Sequence, residues 1–122
     1  MNNRDKPTGL TRFVRAFGYS WQGFRYAWRE EAAFRQELCL ALAVVPAGFY
    51  FGHSGLERAL LVWPMLQILV VELLNSAVEA VVDRGGLERH PLAGMAKDMG
   101  SAAVLLSFGM LGTVWLLILS DH

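Results

Sequence analysis

Glu72, Asn75, Glu79 and Asp83 recur at steps of three, four and four residues within an otherwise apolar segment. At about 100° per residue, these positions fall on one narrow stripe of a single helix. Ionisable side chains at membrane depth are costly, so they indicate a functional site. A stripe that only joins helices by hydrogen bonds would explain one Asn or Ser well. It explains three carboxylates poorly.

The stripe has the groups needed for phosphoryl transfer at a membrane surface. Carboxylates can hold Mg²⁺ together with the phosphates of a substrate. A further carboxylate can act as general base toward an alcohol. Glu72 is the best candidate for that base, because it lies deepest, about 16 Å along the helix from Asp83. Glu79 lies nearer the aqueous end, where a nucleotide could reach it.

The connection over residues 84–98 is charged and rich in glycine, and it follows the acidic end of this segment. Lys97, Asp98 and Ser101 share one side of the helix start that comes next. A basic residue and a glycine-rich backbone beside carboxylates suit a metal-bound polyphosphate. A solvated linker explains the same composition equally well.

Three apolar stretches surround these residues, and hydrophobic residues make up 54% of the chain. A membrane span needs roughly 20 residues. We therefore predict one domain over residues 1–122, an all-α polytopic membrane protein with transmembrane helices at about 32–51, 57–83 and 99–120. Pro46 and Pro64 predict kinks in the first two spans. His53 lies in the short turn between them, and we expect it to be a turn residue rather than a ligand.

The N-terminal segment predicts an amphipathic surface helix over residues 8–30. Its aromatic and apolar side chains recur at three- and four-residue steps: Leu10, Phe13, Phe17, Trp21, Phe24 and Trp28. Arginines lie off that face, which is typical of a helix in the membrane interface. Packing of the same face on protein is the alternative.

The basic residues predict the orientation of the chain. Of the 11 Lys and Arg, most precede residue 37 or lie in the 84–98 connection. Because basic loops stay cytoplasmic, we expect the N-terminus and this connection in the cytoplasm and the C-terminus on the other side. We expect no cleaved signal peptide, since the first apolar run begins late.

Several enzyme classes are excluded by missing motifs. The sequence has no P-loop, no protein-kinase motif, no nucleophile elbow and no Cys/His metal set. Two classes survive: a membrane-embedded lipid phosphotransferase, and an ion- or proton-conducting oligomer that uses Glu72. A small scaffold or regulatory subunit is a third option. We expect no nucleic-acid partner.

Several runs closely resemble the signature of the bacterial diacylglycerol kinases. They are Glu72-Leu-Leu-Asn75-Ser76-Ala-Val-Glu79-Ala-Val-Val-Asp83-Arg84, Ala96-Lys97-Asp98-Met99-Gly100-Ser101, Gly18-Tyr19-Ser20-Trp21 and Glu31-Ala-Ala-Phe34-Arg35-Gln36-Glu37. The resemblance implies a trimer of three-helix subunits with an N-terminal surface helix. It also implies transfer of the ATP γ-phosphate to diacylglycerol at the cytoplasmic face of the bacterial inner membrane. A sister branch of the family phosphorylates undecaprenol, but the amino-acid sequence of residues 31–37 favours diacylglycerol.

The same resemblance implies roles for individual residues. Glu72 matches the catalytic base, Asn75 matches its polar partner, and Glu31 and Glu79 match the carboxylates that bind magnesium and nucleotide. The remaining matches to nucleotide contacts are Arg12, Tyr19, Glu88, Arg89, His90, Lys97 and Asp98. The matches to substrate contacts are Trp21, Arg35, Glu37 and Ser101. The loop over residues 86–91 departs from the family pattern.

The polar stripe also predicts assembly. Three helices of one chain cannot enclose Glu72, Asn75, Ser76 and Glu79 while also hiding Gln67. Unsatisfied polar groups in hydrocarbon cost several kcal/mol each. We therefore expect an obligate homo-oligomer with sites shared between subunits, and the family resemblance implies a trimer.

Overall fold

The computed structural model describes residues 8–85 and 90–122, and these residues form four helices. The helices are α1 (Gly9–Glu30), α2 (Ala32–Phe51), α3 (Gly55–Asp83) and α4 (Pro91–Ser120). The last three are long and apolar enough to cross a membrane, which confirms the predicted all-helical class with three spans. Helix α4 begins upstream of the predicted start at residue 99. Pro91 fits there because the first turn of a helix needs no N–H from it.

Helix α3 is the centre of the bundle, with α2 and α4 packed on it and α1 packed on α2. Leu61, Met65 and Ile68 on α3 are fully buried, since steps of four and three residues keep them on one face. Ala41 from α2 joins this core, and Phe108 from α4 packs against it. The apolar core therefore lies in the first half of α3.

Two arginines fix the corners between successive helices. Arg35, in the first turns of α2, donates to the carbonyl oxygens of Trp28 at 2.6 Å and Arg29 at 3.2 Å. Arg58, in the first turn of α3, donates from Nε to the carbonyl oxygen of Phe49 at 3.1 Å. Each arginine thus binds carbonyls that the preceding helix leaves without an intrahelical partner, at its negative end.

The junction between α1 and α2 is a single residue, Glu31, with extended backbone angles of φ −116° and ψ 103°. Glu31 and Arg35 are four residues apart, but their side chains form no ion pair within residues 8–85 and 90–122. The extended residue turns the chain out of helical register, and the guanidinium caps α1 instead.

A side-chain hydrogen bond joins the first part of α3 to the last part of α4. The indole nitrogen of Trp115 donates to the carbonyl oxygen of Leu61 at 3.0 Å. Pro64 lies one turn further along α3 and cannot donate a backbone N–H to the turn before it. Pro46 and Pro64 thus both lie inside helices. A membrane helix tolerates this when neighbouring groups donate hydrogen bonds to the carbonyls that proline leaves free.

Helix α1 forms where a helix was predicted, and its apolar side chains face outward. Phe13, Phe17 and Trp21 are all mostly exposed in the single chain. Phe13 and Phe17 contact each other edge to face, with ring centroids 5.1 Å apart. The location of this helix on a membrane surface stays a prediction.

Candidate functional site

Two buried carboxyl groups from different helices meet in the second half of α3. Glu72 on α3 is only 4% exposed, and Glu37 on α2 is 7% exposed. Their side chains lie next to each other. A hydrogen bond between two carboxyl groups would need one proton between them, because a carboxylate only accepts hydrogen bonds. Such a pair could hold a proton and pass it on.

Two more acids complete what we call the acidic cluster, defined as Glu31, Glu37, Glu72 and Glu79. The charges of Glu31 and Glu79 both act on the Glu72 carboxyl group. Asn75 lies one turn from Glu79 on α3 and donates from Nδ2 to Glu79 Oε1 at 3.4 Å. Three carboxyl groups, from the α1–α2 junction, α2 and α3, thus surround the buried acid Glu72.

Three buried polar atoms of this region have no hydrogen-bond partner within the described part of the chain. They are Glu37 Oε2, Asn75 Oδ1 and Ser76 Oγ. Buried polar atoms in native structures nearly always have a partner, and one without a partner needs an explanation. A substrate or a second subunit would provide the missing donors and acceptors.

Gly100 on α4 makes room for Asn75. A Cβ atom at Gly100 would overlap the amide oxygen of Asn75, so glycine here leaves space for the present position of that side chain. Asn75 also lines an apolar groove between α3 and α4. The groove residues include Leu74 and Val78 on α3 and Met99 on α4. Asn75 therefore belongs both to the groove and to the neighbourhood of the acidic cluster.

At the end of α3 that is predicted to face the cytoplasm, an ion pair joins α3 to α4. Lys97 Nζ lies 2.7 Å from Asp83 Oδ1, and both side chains are substantially exposed. His90 caps α4, because its Nδ1 accepts a hydrogen bond from the backbone N–H of Leu92 at 3.1 Å. Asp98 and Ser101 are exposed on the same helix. The ion pair holds Lys97 at the end of α3 that bears Glu79.

Some residues assigned by the family resemblance lie elsewhere or outside the described residues. Glu88 and Arg89 fall outside residues 8–85 and 90–122. Arg12, Tyr19 and Trp21 are exposed along α1. Helix α1 meets the rest of the chain mainly through α2. One chain thus brings together the α2 and α3 residues of the predicted site but leaves the α1 residues on its surface.

Two features of the site were missed by sequence reasoning. Glu37 was assigned to substrate contact, and its place beside Glu72 was not foreseen. Gly100 received no role. A signal existed for Glu37, since Glu31, Phe34, Glu37 and Ala41 repeat at helical spacing, and Phe34, Glu37 and Ala41 are the buried face of α2. No comparable signal marked Gly100.

The acidic cluster fits a magnesium ion that arrives with a nucleotide. Mg²⁺ prefers hard oxygen ligands and is often held by one or two carboxylates plus substrate phosphates. Glu31 and Glu79 provide such carboxylates. Three ligand atoms within 4.8 Å of one another occur among the described residues at the other end of α3, in His53, Glu57 and His122, and not in the acidic cluster. A metal at the acidic cluster would therefore need phosphate oxygens as further ligands.

Comparison with known proteins confirms the family resemblance. The model of the family described as prokaryotic diacylglycerol kinase matches residues 18–119. The chain is 48% identical over 118 residues to a diacylglycerol kinase of Escherichia coli strain K12, covering 97% of each chain. It is 51% identical over 112 residues to one of Pseudomonas aeruginosa, covering 92% of this chain and 91% of the relative. It is 44% identical over 110 residues to one of Helicobacter pylori strain 26695, covering 90% and 86%.

These matches span nearly the whole chain and include α2, α3 and α4, on which the acidic cluster and the groove are built. The chain is therefore an enzyme of the transferase class, a kinase. Its three long apolar helices make it a membrane protein. By the family match and the length of these alignments, it belongs to the prokaryotic diacylglycerol kinase family.

Proposed function

We propose that the chain transfers the γ-phosphate of ATP to the free hydroxyl of diacylglycerol, giving phosphatidic acid and ADP. The observation that carries this proposal is the buried acid Glu72, set among other carboxyl groups on a helix that also lines an apolar groove, in a member of this kinase family. A lipid alcohol needs an apolar surface for its chains and a base for its hydroxyl proton, and α3 carries both.

Glu72 is the general base of the reaction. Its carboxylate accepts the hydroxyl proton while the alcohol oxygen bonds to the γ-phosphorus and the bond to the β-phosphate oxygen breaks. Glu37, its buried neighbour on α2, positions the carboxyl group and can take the proton onward. Burial of both residues keeps water away from the γ-phosphate, so transfer to lipid is favoured over hydrolysis.

The groove between α3 and α4 is the lipid site. Leu74 and Val78 with Met99 present apolar surface to an acyl chain. Asn75 stands at the polar edge of the groove, where its unpaired oxygen can accept a hydrogen bond from the lipid. Ser101 is exposed one residue beyond Gly100 and contacts the glycerol region.

Glu31 and Glu79 would hold the Mg²⁺ that accompanies ATP, and this ion would neutralise phosphate charge. Lys97 exchanges its exposed carboxylate partner for phosphate oxygens, because its flexible ammonium acts as a mobile point charge. The other nucleotide contacts proposed from the family resemblance are Arg12, Tyr19, Glu88, Arg89, His90 and Asp98. Trp21 and Arg35 are proposed to contact the lipid substrate with Glu37.

The active form is a homo-oligomer, a trimer by family resemblance. The unpaired atoms of Asn75 and Ser76 support this, since a second copy of α3 would bring donors and acceptors to them. The α1 residues Arg12 and Tyr19 would reach the acidic cluster of a neighbouring subunit. The site faces the cytoplasm at the bacterial inner membrane, as the basic residues of the N-terminus and the 84–98 loop indicate.

The test of the activity is lipid labelling in mixed micelles. The purified protein receives γ-labelled ATP with diacylglycerol and undecaprenol side by side, and label should enter phosphatidic acid. Preferential labelling of undecaprenol would overturn the acceptor assignment. Proton flux through reconstituted protein that labels neither lipid would favour the conducting oligomer instead.

The test of shared sites is complementation between protomers, assayed at a limiting Mg²⁺ concentration at which each variant alone turns over little lipid. Glu72→Gln and Glu79→Gln chains are each assembled alone and then mixed during refolding. Recovery of part of the wild-type rate by mixed oligomers would show that one site can take Glu72 and Glu79 from different chains. A monomer that is fully active in detergent would exclude the oligomer.

A further inference from the structure

A second cluster of possible ligands lies at the far end of α3 from the acidic cluster. His53 is in the α2–α3 turn, Glu57 is in the first turn of α3, and His122 follows the end of α4. From Glu57 to Glu72 the helix rises by about 22 Å, so the two clusters are separate sites. The kinase reaction proposed above uses none of these three residues.

The three side chains already converge. His122 Nε2 lies 2.5 Å from Glu57 Oε1. The rings of His53 and His122 are stacked, with centroids 3.7 Å apart and planes 13° from parallel. One ligand atom from each residue lies within 4.8 Å of the other two. Three segments far apart in sequence therefore meet at one point.

We propose that His53, Glu57 and His122 form a binding site for a divalent transition-metal cation of the Zn²⁺ class. Two imidazoles and one carboxylate are a donor set that suits zinc and leaves a fourth position open. Bond lengths of about 2.0–2.2 Å place tetrahedral ligand atoms about 3.4 Å apart. Side-chain rotations that move each ligand atom by about 1 Å would bring the three atoms to that spacing.

Mg²⁺ is the wrong ion for this cluster, because it prefers oxygen ligands and an octahedral shell. The site is accessible, since the side chains of His122 and Glu57 are 22% and 27% exposed and His53 is exposed. A bound metal would clasp the end of α4 to the α2–α3 turn. It would stabilise the bundle without entering the phosphoryl transfer.

Co²⁺ binding tests the proposal, because tetrahedral Co²⁺ absorbs visible light strongly and serves as a probe for zinc sites. The protein is purified in detergent without a histidine tag. Wild type should bind one Co²⁺ per chain, Zn²⁺ should displace it, and a large excess of Mg²⁺ should not. Zn²⁺ at saturation should also raise the melting temperature by roughly 3 °C or more.

Variants locate the bound ion. His53→Asn, Glu57→Gln and His122→Asn should each weaken Co²⁺ binding about tenfold or more, because each removes a direct ligand. Matched controls are His90→Asn, which removes the third histidine, and Glu79→Gln, which removes a carboxylate of the acidic cluster. Both controls should bind Co²⁺ as wild type does, and circular dichroism should show equal helix content throughout.

The proposal is overturned if wild type gives no tetrahedral Co²⁺ absorption. It is also overturned if the His53→Asn/His122→Asn double variant binds Co²⁺ as tightly as wild type, or if Glu79→Gln or excess Mg²⁺ abolishes binding. None of these readouts uses kinase activity, so the outcome is independent of the reaction proposed for the acidic cluster.

Discussion

The two halves of α3 differ in how completely one chain provides contacts and hydrogen-bond partners for their buried side chains. In the first half, Leu61, Met65 and Ile68 are fully buried against α2 and α4. In the second half, Glu72 is equally enclosed, but the neighbouring oxygens of Asn75 and Ser76 have no partner within the described residues. The first half of the helix is packed completely by one chain. The second half has buried polar atoms that find no partner among the described residues.

This difference separates stability from chemistry along a single helix. Apolar packing needs only volume and contact, so one chain can complete it. A buried polar group needs partners of defined geometry, and leaving it unpaired costs about 1–3 kcal/mol. Substitutions in the two halves should therefore have different consequences, and the following predictions compare them.

Glu72→Gln should remove nearly all turnover and leave the fold intact. Loss of a general base costs about 10²–10⁴-fold in rate, and glutamine keeps the shape of the side chain. Lipid phosphorylation rates and circular dichroism measure the two effects. Glu30→Gln, an exposed acid at the end of α1, is the control and should stay near the wild-type rate. A Glu72→Gln protein that is nearly as fast as wild type would refute the base assignment.

Met65→Ala should do the opposite and destabilise the protein while sparing the chemistry. Truncating a fully buried methionine lowers the free energy of unfolding by about 2–5 kcal/mol, since a cavity is left behind. Unfolding in SDS measures this loss, and turnover per folded chain should change little. Leu66→Ala on the same helix is the control, because Leu66 is 48% exposed. Equal destabilisation by both variants would contradict a core confined to that face.

Gly100→Ala should link the two kinds of effect. The added methyl group overlaps the amide oxygen of Asn75, and such overpacking costs about 1–3 kcal/mol. Because Asn75 borders both the groove and Glu79, activity should fall together with stability. Gly109→Ala is the control on the same helix, since its added Cβ meets no described atom within 4 Å. An active and stable Gly100→Ala protein would mean that the close approach has no functional weight.

Glu31→Gln and Glu79→Gln should have the smallest effect on the maximal rate but change its magnesium dependence. Each removes negative charge that helps to hold the metal, so several-fold more Mg²⁺ should be needed for half-maximal activity. Glu30→Gln, next to Glu31 in sequence, should leave the titration unchanged. If either test variant instead loses thermal stability with an unaltered Mg²⁺ titration, that acid has a structural role.

The sequence predicted those parts of the molecule that depend on position along one helix. Periodicity was enough to place Glu72, Asn75 and Glu79 on one stripe, and all three lie on α3. Hydropathy was enough to predict three helices that can span a membrane. Both inferences use only the geometry of a single helix, which is the same in every protein.

The sequence could not predict distances between helices. That Glu37 meets Glu72 depends on how Ala41 packs on Met65, and small changes in crossing angle would separate the two acids. Arg35 lies four residues after Glu31, yet it binds the carbonyls of α1. That choice depends on the extended backbone at Glu31, which no residue pattern indicates.

The hydrogen bond from Trp115 to Leu61 fixes the position of α4 along α3. From residue 115 back to residue 97, α4 rises by about 27 Å as a rigid rod. A slip of one turn would move Lys97 by about 5.4 Å along Asp83 and Glu79, and it would first have to break this single indole bond. Trp115, far from the acidic cluster, thus sets the depth of Lys97 relative to Asp83 and Glu79.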